Sequence, residues 1–176
     1  MTKRQIDVQV LPAYRATAST AWVRRVAAAA LRAGDPQGTA GASILLTNEQ
    51  ALHDLNRRFR GLDEPTDVLA FGRGGEQEGG PEGKQELHQA EASDTQGVNF
   101  PDAPGEDSLG DVVVSYPHAE AQAAERSVPT ERELALLIVH GVLHLLGHDH
   151  AEPGEQAAMQ ALEAEALDLL FAGAPA

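Results

Sequence analysis

The chain has 176 residues, which suits one domain of ordinary size and is short for two independent folds. Hydrophobic residues make up 42% of the sequence, which is enough for a packed core and excludes wholesale disorder. The absence of cysteine excludes disulfides, thiolate nucleophiles and cysteine-ligated zinc, so any metal must be held by His, Asp or Glu.

The formal net charge of −14 is unevenly distributed along the chain. Residues 1–71 carry nine Lys/Arg against seven Asp/Glu, whereas residues 72–107 carry two against nine and residues 108–176 two against eleven. Because phosphate binding needs Lys and Arg, the first third is the part that favours a polyanion. No apolar run approaches the length of a membrane span, and no apolar signal segment follows Lys3 and Arg4, so we expect a cytoplasmic protein without a membrane partner.

Hydrophobic periodicity predicts four short strands and two helices before residue 116. Short alternating or apolar runs at residues 5–10, 43–46, 67–71 and 109–115 predict the strands. Residues 21–32, with Gly34 beyond them, and residues 48–59, after a capping box of Thr47 and Gln50, predict the helices.

The last third of the chain predicts three more helices, at residues 116–126, 131–146 and 152–171. A capping box of Thr130 and Glu133 begins the second of them, and Gly147 ends it. The last helix is amphipathic, with the inward positions Met159, Leu162, Ala166, Leu169 and Leu170. Together these elements predict an α+β domain in which about five helices pack on a small mixed four-stranded sheet.

Residues 72–107 are rich in glycine and acidic residues and contain almost no large aliphatic side chain. Such a segment cannot offset its own ordering entropy, so we predict a disordered surface insertion within a single domain of residues 1–176. An alternative is an acidic segment that mimics a nucleic acid and gates the site.

Four of the seven histidines lie within eleven residues near the end of the chain. His140 and His144 are four residues apart on a predicted helix, so their imidazoles share one face and can bind one ion. Gly147 breaks the helix and lets the chain return His150 to the same point. The pattern predicts a three-histidine metal site on this helix and the turn after it, with a fourth position open to water.

The two other polar residues of this turn have less specific roles. Asp149 is either an acceptor that orients a ligating imidazole or a solvated turn residue. For His148 we favour a pocket or surface role over a ligand role. His53, His88 and His118 have no partner pattern and are expected to be structural or exposed.

The spacing of the three histidines is similar to the ligand arrangement of the metzincin proteases. Those enzymes place a glutamate directly after the first histidine as general base, and this chain has Gly141 there. Glycine inside a helix costs about 1 kcal/mol relative to alanine, so we expect a close approach by a neighbouring strand at this position. Peptide hydrolysis by the metzincin mechanism would therefore lack its general base.

The whole pattern resembles the YbeY family of bacterial endoribonucleases and ribosomal RNA maturation factors. The resemblance runs from about Ile6 to Leu170 and rests on three blocks: LNRRFRG at 55–61 with PTDVLAF at 65–71, LGDVVVS at 109–115, and the histidine block at 140–150. The departures are the long acidic insertion and His148, where the family often has tyrosine.

The resemblance implies one Zn²⁺ held by His140, His144 and His150, and a functionally important arginine at Arg60. It also implies action on single-stranded RNA in small-subunit ribosomal RNA maturation and ribosome quality control, with ribosomal RNA and the ribosome or its proteins as partners. We hypothesise that zinc-bound water is the nucleophile and that no protein base is needed, while Arg60 holds the scissile phosphate. The alternative for Arg60 is a surface ion pair with Asp63 or Glu64.

Further residues are assigned to RNA binding or to the pocket. Arg57 and Arg58 are expected to attract phosphate or merely to solvate their helix, and with Arg4, Arg24, Arg25 and Arg60 they are expected to gather on one side. Asp111 and Ser115 either line the pocket or occupy a turn and a strand end.

Two other functions compete with a zinc-dependent endoribonuclease. One is a metallopeptidase or another small-molecule hydrolase, which Gly141 disfavours. The other is a non-catalytic ribosome assembly factor whose metal only locks the last helix to the turn. A closed structural site needs a fourth protein ligand, whereas a hydrolase has an open position.

Overall fold

The computed structural model describes residues 3–72, 107–148 and 152–172. In chain order the elements are β1 (Ile6–Val10), a short 3-10 helix (Pro12–Tyr14), α1 (Thr20–Gly34), β2 (Gly41–Thr47), α2 (Glu49–Arg60), β3 (Val68–Gly72), β4 (Ser108–Ser115), α3 (Tyr116–Arg126), α4 (Thr130–Leu145) and α5 (Pro153–Phe171). The predicted α+β architecture is confirmed, and each predicted strand and helix is present with ends within two residues of the expected ones.

The four strands form one mixed sheet in the order β1-β2-β4-β3. Strands β1, β2 and β4 are parallel, and β3 joins the edge antiparallel to β4. Every residue of β2 is buried, because this strand lies inside the sheet and both of its faces are covered.

The sheet separates two hydrophobic cores. On one face, helices α1 and α4 pack against side chains such as Ile44 and Val112, and α5 packs on these two helices. On the other face, Leu52 and Leu55 of α2 pack against Val113 and its neighbours. Successive residues of a strand point to opposite faces, so the side of the sheet on which each candidate residue lies follows from its position in the strand.

Helix α4 lies directly on strands β3 and β4 at Gly141. A Cβ atom added at Gly141 would be 2.5 Å from Cγ1 of Val112 and 3.2 Å from Cγ2 of Val68. The expected close approach by a neighbouring strand is therefore confirmed, and it fixes how deeply the histidine helix sits on the sheet.

Gly147 ends α4 as predicted. Its φ of 92° lies in the region that favours glycine. The N–H of Gly147 donates to the carbonyl of His144 at 3.0 Å, and the N–H of His148 donates to the carbonyl of Leu143 at 3.1 Å. These two bonds form a Schellman motif, which turns the chain away from the helix axis directly after the histidines.

Both predicted capping boxes are wrong. Thr47 is the last residue of β2, and the following Asn48 caps α2 by accepting a 2.9 Å hydrogen bond from the N–H of Ala51. Helix α4 begins after Pro129 without a side-chain cap. Glu133 is instead buried and pairs with Arg126 of α3 at 2.7 Å, a tertiary contact that local spacing does not reveal.

The prediction for the inward face of α5 is wrong at Leu169, which is 50% exposed, and Leu167 is buried in its place. At 3.6 residues per turn, Leu169 lies to the side of the line through Met159, Glu163 and Ala166 that faces α4. Most of the predicted insertion, residues 73–106, lies outside the described residues, so its disorder stays a prediction. No helix in the described ranges has the length and apolar character needed to span a membrane.

Candidate metal centre

His140 and His144 face one another on α4, as their spacing of one helical turn predicts. Their Nε2 atoms are 3.1 Å apart, and their ring planes meet at 77° with centroids 4.6 Å apart. Both side chains are half-buried, at the end of the helix that precedes the Gly147 turn. The structure therefore directs two imidazole nitrogens at one point.

Glu163 of α5 fixes the orientation of His140. The Nδ1–H of His140 donates to Oε1 of Glu163 at 2.6 Å. Because an ionised carboxylate only accepts, Nδ1 carries the proton and Nε2 presents its lone pair toward His144. A carboxylate behind a ligating histidine is the usual arrangement around protein-bound zinc.

Glu163 is a site residue that was not predicted from the sequence. A signal was present, because Met159, Glu163 and Ala166 follow one another at helical spacing, which places a carboxylate on the buried face of α5. Which residue this carboxylate meets depends on how α5 packs on α4, and a pattern within α5 does not contain that information.

The donor atoms fit a tetrahedral zinc ion. Two nitrogen ligands at the usual 2.0–2.1 Å from zinc lie about 3.3 Å from each other, close to the observed separation of the two Nε2 atoms. The predicted third ligand, His150, and the predicted acceptor Asp149 lie outside the described residues. Within residues 3–72, 107–148 and 152–172, no third His, Asp or Glu side chain converges on the pair.

The structure places the other described histidines, His53, His118 and His148, away from this pair, and His88 lies outside the described residues. Nε2 of His148 lies 3.5 Å from the carbonyl of Gly34 at the end of α1, a position consistent with the predicted role other than a ligand. His53 pairs with Asp63 at 2.8 Å, which ties α2 to the loop that follows it. His118 lies half-buried in the first turn of α3.

The predicted RNA-binding arginines of α2 lie across the sheet from α4. Arg57, Arg58 and Arg60 are exposed near the end of α2, and Arg57 has Asp54 at 3.7 Å. Arg60 makes no ion pair with Asp63 or Glu64 within the described residues, and Asp63 instead pairs with His53. The structure therefore gives no structural partner to Arg60 in the described part of the chain.

The expectation that six arginines gather on one side is wrong. Helices α1 and α2 pack on opposite faces of the sheet, which separates Arg24 and Arg25 from the arginines of α2. Two of the six also bind backbone carbonyls. Arg24 donates to the carbonyl of Ile6 at 3.1 Å, and Arg4 donates to the carbonyls of Asp35 and Ala40.

Asp111 and Ser115 lie in β4 on the face shared with Val113, which is the side of α2. Both are buried. Ser115 has a local role, because its hydroxyl accepts a hydrogen bond from the N–H of His118 and caps α3. A pocket role for these two residues stays a prediction.

A cavity of about 270 Å³ lies beside His140, between α3, α4, α5 and the start of β3. His140 and Glu163 form part of its wall, together with Asp67, Gln122 and Arg126. Gln122 donates to Oδ2 of Asp67 at 3.1 Å. The candidate metal centre therefore adjoins a space with polar and charged walls.

Comparison with known proteins gives one consistent family. The family model described as "Endoribonuclease YbeY" matches residues 5–170. A protein named Endoribonuclease YbeY from Roseiflexus castenholzii is 43% identical over 166 residues, covering 94% of this chain and 92% of its own. Its namesake from Chloroflexus aurantiacus is 42% identical over 155 residues, covering 88% of each chain.

The fold of a solved structure agrees. The solution structure of TM1509 from Thermotoga maritima superposes with a TM-score of 0.56 at 22% identity, covering 96% of this chain and 90% of the other. At that identity the likeness concerns the fold alone. The family model and the relatives above lead to one conclusion: the chain belongs to the YbeY family of endoribonucleases.

Proposed function

We propose that this chain is a zinc-dependent endoribonuclease that cuts single-stranded RNA. The observation that carries the proposal is the pair of Nε2 atoms 3.1 Å apart, with Glu163 behind His140. Relatives that match most of the chain are named endoribonucleases, which supports RNA as the substrate. We further propose that the protein acts in the cytoplasm on small-subunit ribosomal RNA, in its maturation and in ribosome quality control, with ribosomal proteins as partners.

In this proposal, His140, His144 and His150 hold one Zn²⁺, and Glu163 keeps His140 in the tautomer that binds metal. When bound, the ion supplies Lewis-acid polarisation of a phosphoryl oxygen and lowers the pKa of water toward about 7. A protein carboxylate base is then unnecessary. This agrees with Gly141, where an added Cβ would already collide with Val112, so the base position of the metallopeptidases has no room for a side chain.

Arg60 is the proposed phosphate-binding residue of the reaction, because it is the last residue of α2 and the loop that follows it leads to Asp67 in the wall of the cavity beside His140. A guanidinium binds phosphate through paired N–H donors and offsets negative charge as the transition state forms. The described part of the chain gives Arg60 no structural ion pair, which supports a role in binding. Arg57 and Arg58 are proposed to add general phosphate attraction, and Asp111 and Ser115 are proposed as pocket residues.

The test compares wild type with His144→Ala and Arg60→Ala on a single-stranded RNA, the same RNA as a duplex, and a casein-like peptide. His118→Ala is the matched histidine control. We expect His144→Ala to lose both zinc and RNA cleavage, Arg60→Ala to lose cleavage while keeping zinc, and His118→Ala to keep both. Duplex and peptide are expected to stay intact.

Two results contradict the proposal. If both site variants cut RNA as fast as wild type, the cleavage belongs to a contaminant. If the wild-type protein binds zinc and RNA without cutting, the metal is structural and the chain is a non-catalytic assembly factor.

A further inference from the structure

The cavity beside His140 has an apolar floor and a charged wall. Leu137 and Met159 are buried side chains that line it, and Leu136 adds a half-buried one. Its volume of about 270 Å³ is near the lower end of the range of pockets that hold small molecules. The space therefore has room for a group of about the size of one nucleotide.

Each of the three carboxylates that line the cavity already has a donor. Glu163 accepts from His140 at 2.6 Å, and Glu133 accepts from Arg126 at 2.7 Å. Asp67 accepts from the N–H of Val68 at 2.8 Å and from Gln122 at 3.1 Å. Among the described residues around the cavity, Arg126 is the one with a permanent positive charge.

Glu133 holds Arg126 at this wall. The Glu133 side chain is 3% exposed and the Arg126 side chain 56% exposed, so the pair joins a buried carboxylate to an accessible guanidinium. The bond uses Nη1 of Arg126, and a guanidinium has five N–H donors. The structure gives Arg126 no second polar partner in the described residues, so donors remain for a ligand.

Arg126 and the candidate metal centre lie along the same cavity, so one RNA strand can contact both. Glu133 and His140 are two turns apart on α4, which is about 10 Å along the helix axis. Glu133 and His140 both line the cavity, so the guanidinium held by Glu133 and the imidazole of His140 contact it two helical turns apart. A phosphate at the histidines and a neighbouring phosphate at Arg126 can belong to one RNA strand that crosses the cavity.

We propose that the cavity binds the nucleotide next to the scissile bond and that Arg126, positioned by Glu133, binds its phosphate. This inference rests on the proposed function, because it gives the RNA strand its path past the histidine pair. It places a substrate-binding arginine in the wall of the cavity beside the histidine pair, a position that no sequence pattern indicated.

The experiment compares Arg126→Gln with Arg132→Gln in steady-state cleavage of a short single-stranded RNA and in its equilibrium binding at several salt concentrations. Arg132 is the matched control, because it lies on α4 over the ring of Phe171 and does not line the cavity. We expect Arg126→Gln to raise KM about tenfold and to lower the salt slope of binding by about 0.7, as loss of one phosphate contact does. Arg132→Gln is expected to match wild type in KM.

Glu133→Gln separates positioning from charge. It keeps the cation of Arg126 but weakens the contact that holds it, so we expect KM to rise while the salt slope stays at the wild-type value. Arg126→Gln leaves the buried carboxylate of Glu133 without its partner and can destabilise the fold. The thermal unfolding of each variant is therefore measured alongside the assays. If that variant is unfolded, Arg126→Gln combined with Glu133→Gln removes both charges and takes its place.

Equal KM and equal salt slope for the folded Arg126 and Arg132 variants would overturn this proposal while leaving the nuclease intact. A wild-type protein that cuts no RNA overturns the proposed function instead. In that case the salt slopes of the two variants still decide whether Arg126 binds phosphate.

Discussion

Glu163 is the single residue on which the orientation of the candidate metal centre depends most directly. Its carboxylate accepts the Nδ1 proton of His140 at 2.6 Å and leaves Nε2 as the atom that faces His144. We expect Glu163→Gln to weaken zinc binding about 10- to 100-fold, because an amide no longer fixes the tautomer by accepting alone. Competition with a chromophoric chelator measures the affinity.

Glu165→Gln is the matched control for this change. Glu165 is exposed and lies two residues further along α5, and its replacement by glutamine removes the same charge as Glu163→Gln does. Its zinc affinity is expected to equal that of wild type. Equal affinities for the two variants would show that the Glu163 contact does not act on the ligand.

Features of the site that are set within one helix could be predicted from the sequence. Contacts between side chains of different helices could not. The spacing of His140 and His144 and the stop at Gly147 are properties of one helix, and the structure has both as expected. The partners of Glu163 and Glu133 lie on other helices, 23 and 7 residues away in the chain. The hydrophobic periodicity of one helix does not show which side chain of another helix it will contact.

At the scale of elements, the contact between α4 and the sheet depends on the missing side chain of Gly141. Alanine at this position gains about 1 kcal/mol of helix propensity, but its Cβ would lie 2.5 Å from Val112. We expect Gly141→Ala to lower the free energy of unfolding by about 1 to 3 kcal/mol, because the overpacked helix must move away from β4. Urea unfolding measures the change.

Gly154→Ala is the control, because Gly154 is exposed in the first turn of α5 with open space around it. This change is expected to raise stability by about 0.4 to 1 kcal/mol through the unfolded chain. If Gly141→Ala is as stable as Gly154→Ala, the close approach of α4 to β4 is not a constraint on the fold.

The turn that ends α4 requires a positive φ at Gly147. Gly147 has φ of 92° and no neighbour within 4 Å of an added Cβ, so crowding does not contribute to the effect of a substitution. We expect Gly147→Ala to cost about 1 to 2 kcal/mol, the cost of a left-handed conformation for a residue with a side chain. Chemical denaturation of this variant checks the value, and an unchanged midpoint contradicts it.

At the scale of the whole molecule, the order of the strands could not be read from the sequence. The strand patterns show where strands occur, but not that β4 lies between β2 and β3 or that α2 packs on the opposite face from α1 and α4. For this reason the prediction that six arginines gather on one side of the molecule was wrong. The sheet instead separates the arginines of α1 from those of α2, and Arg126 provides a third location beside the histidines.

The acidic segment between β3 and β4 contributes to the charge of the whole molecule. Residues 73–106 contain two basic and eight acidic residues, a net charge of −6. The strands that flank this segment are already paired, with Gly72 opposite Gly110 in the antiparallel ladder, so a short turn can join them. We expect a protein with a short glycine-containing turn in place of residues 73–106 to keep a cooperative unfolding transition.

The same deletion distinguishes two roles of the segment. A merely solvated segment repels RNA through long-range charge, so its removal should raise RNA affinity at low salt and have little effect at high salt, where charges beyond about one Debye length are screened. A segment that occupies the site as a nucleic-acid mimic competes directly, and its removal should raise affinity at both salt concentrations. Equilibrium binding of a labelled single-stranded RNA to both proteins measures the difference, and unchanged affinity at low salt contradicts both roles.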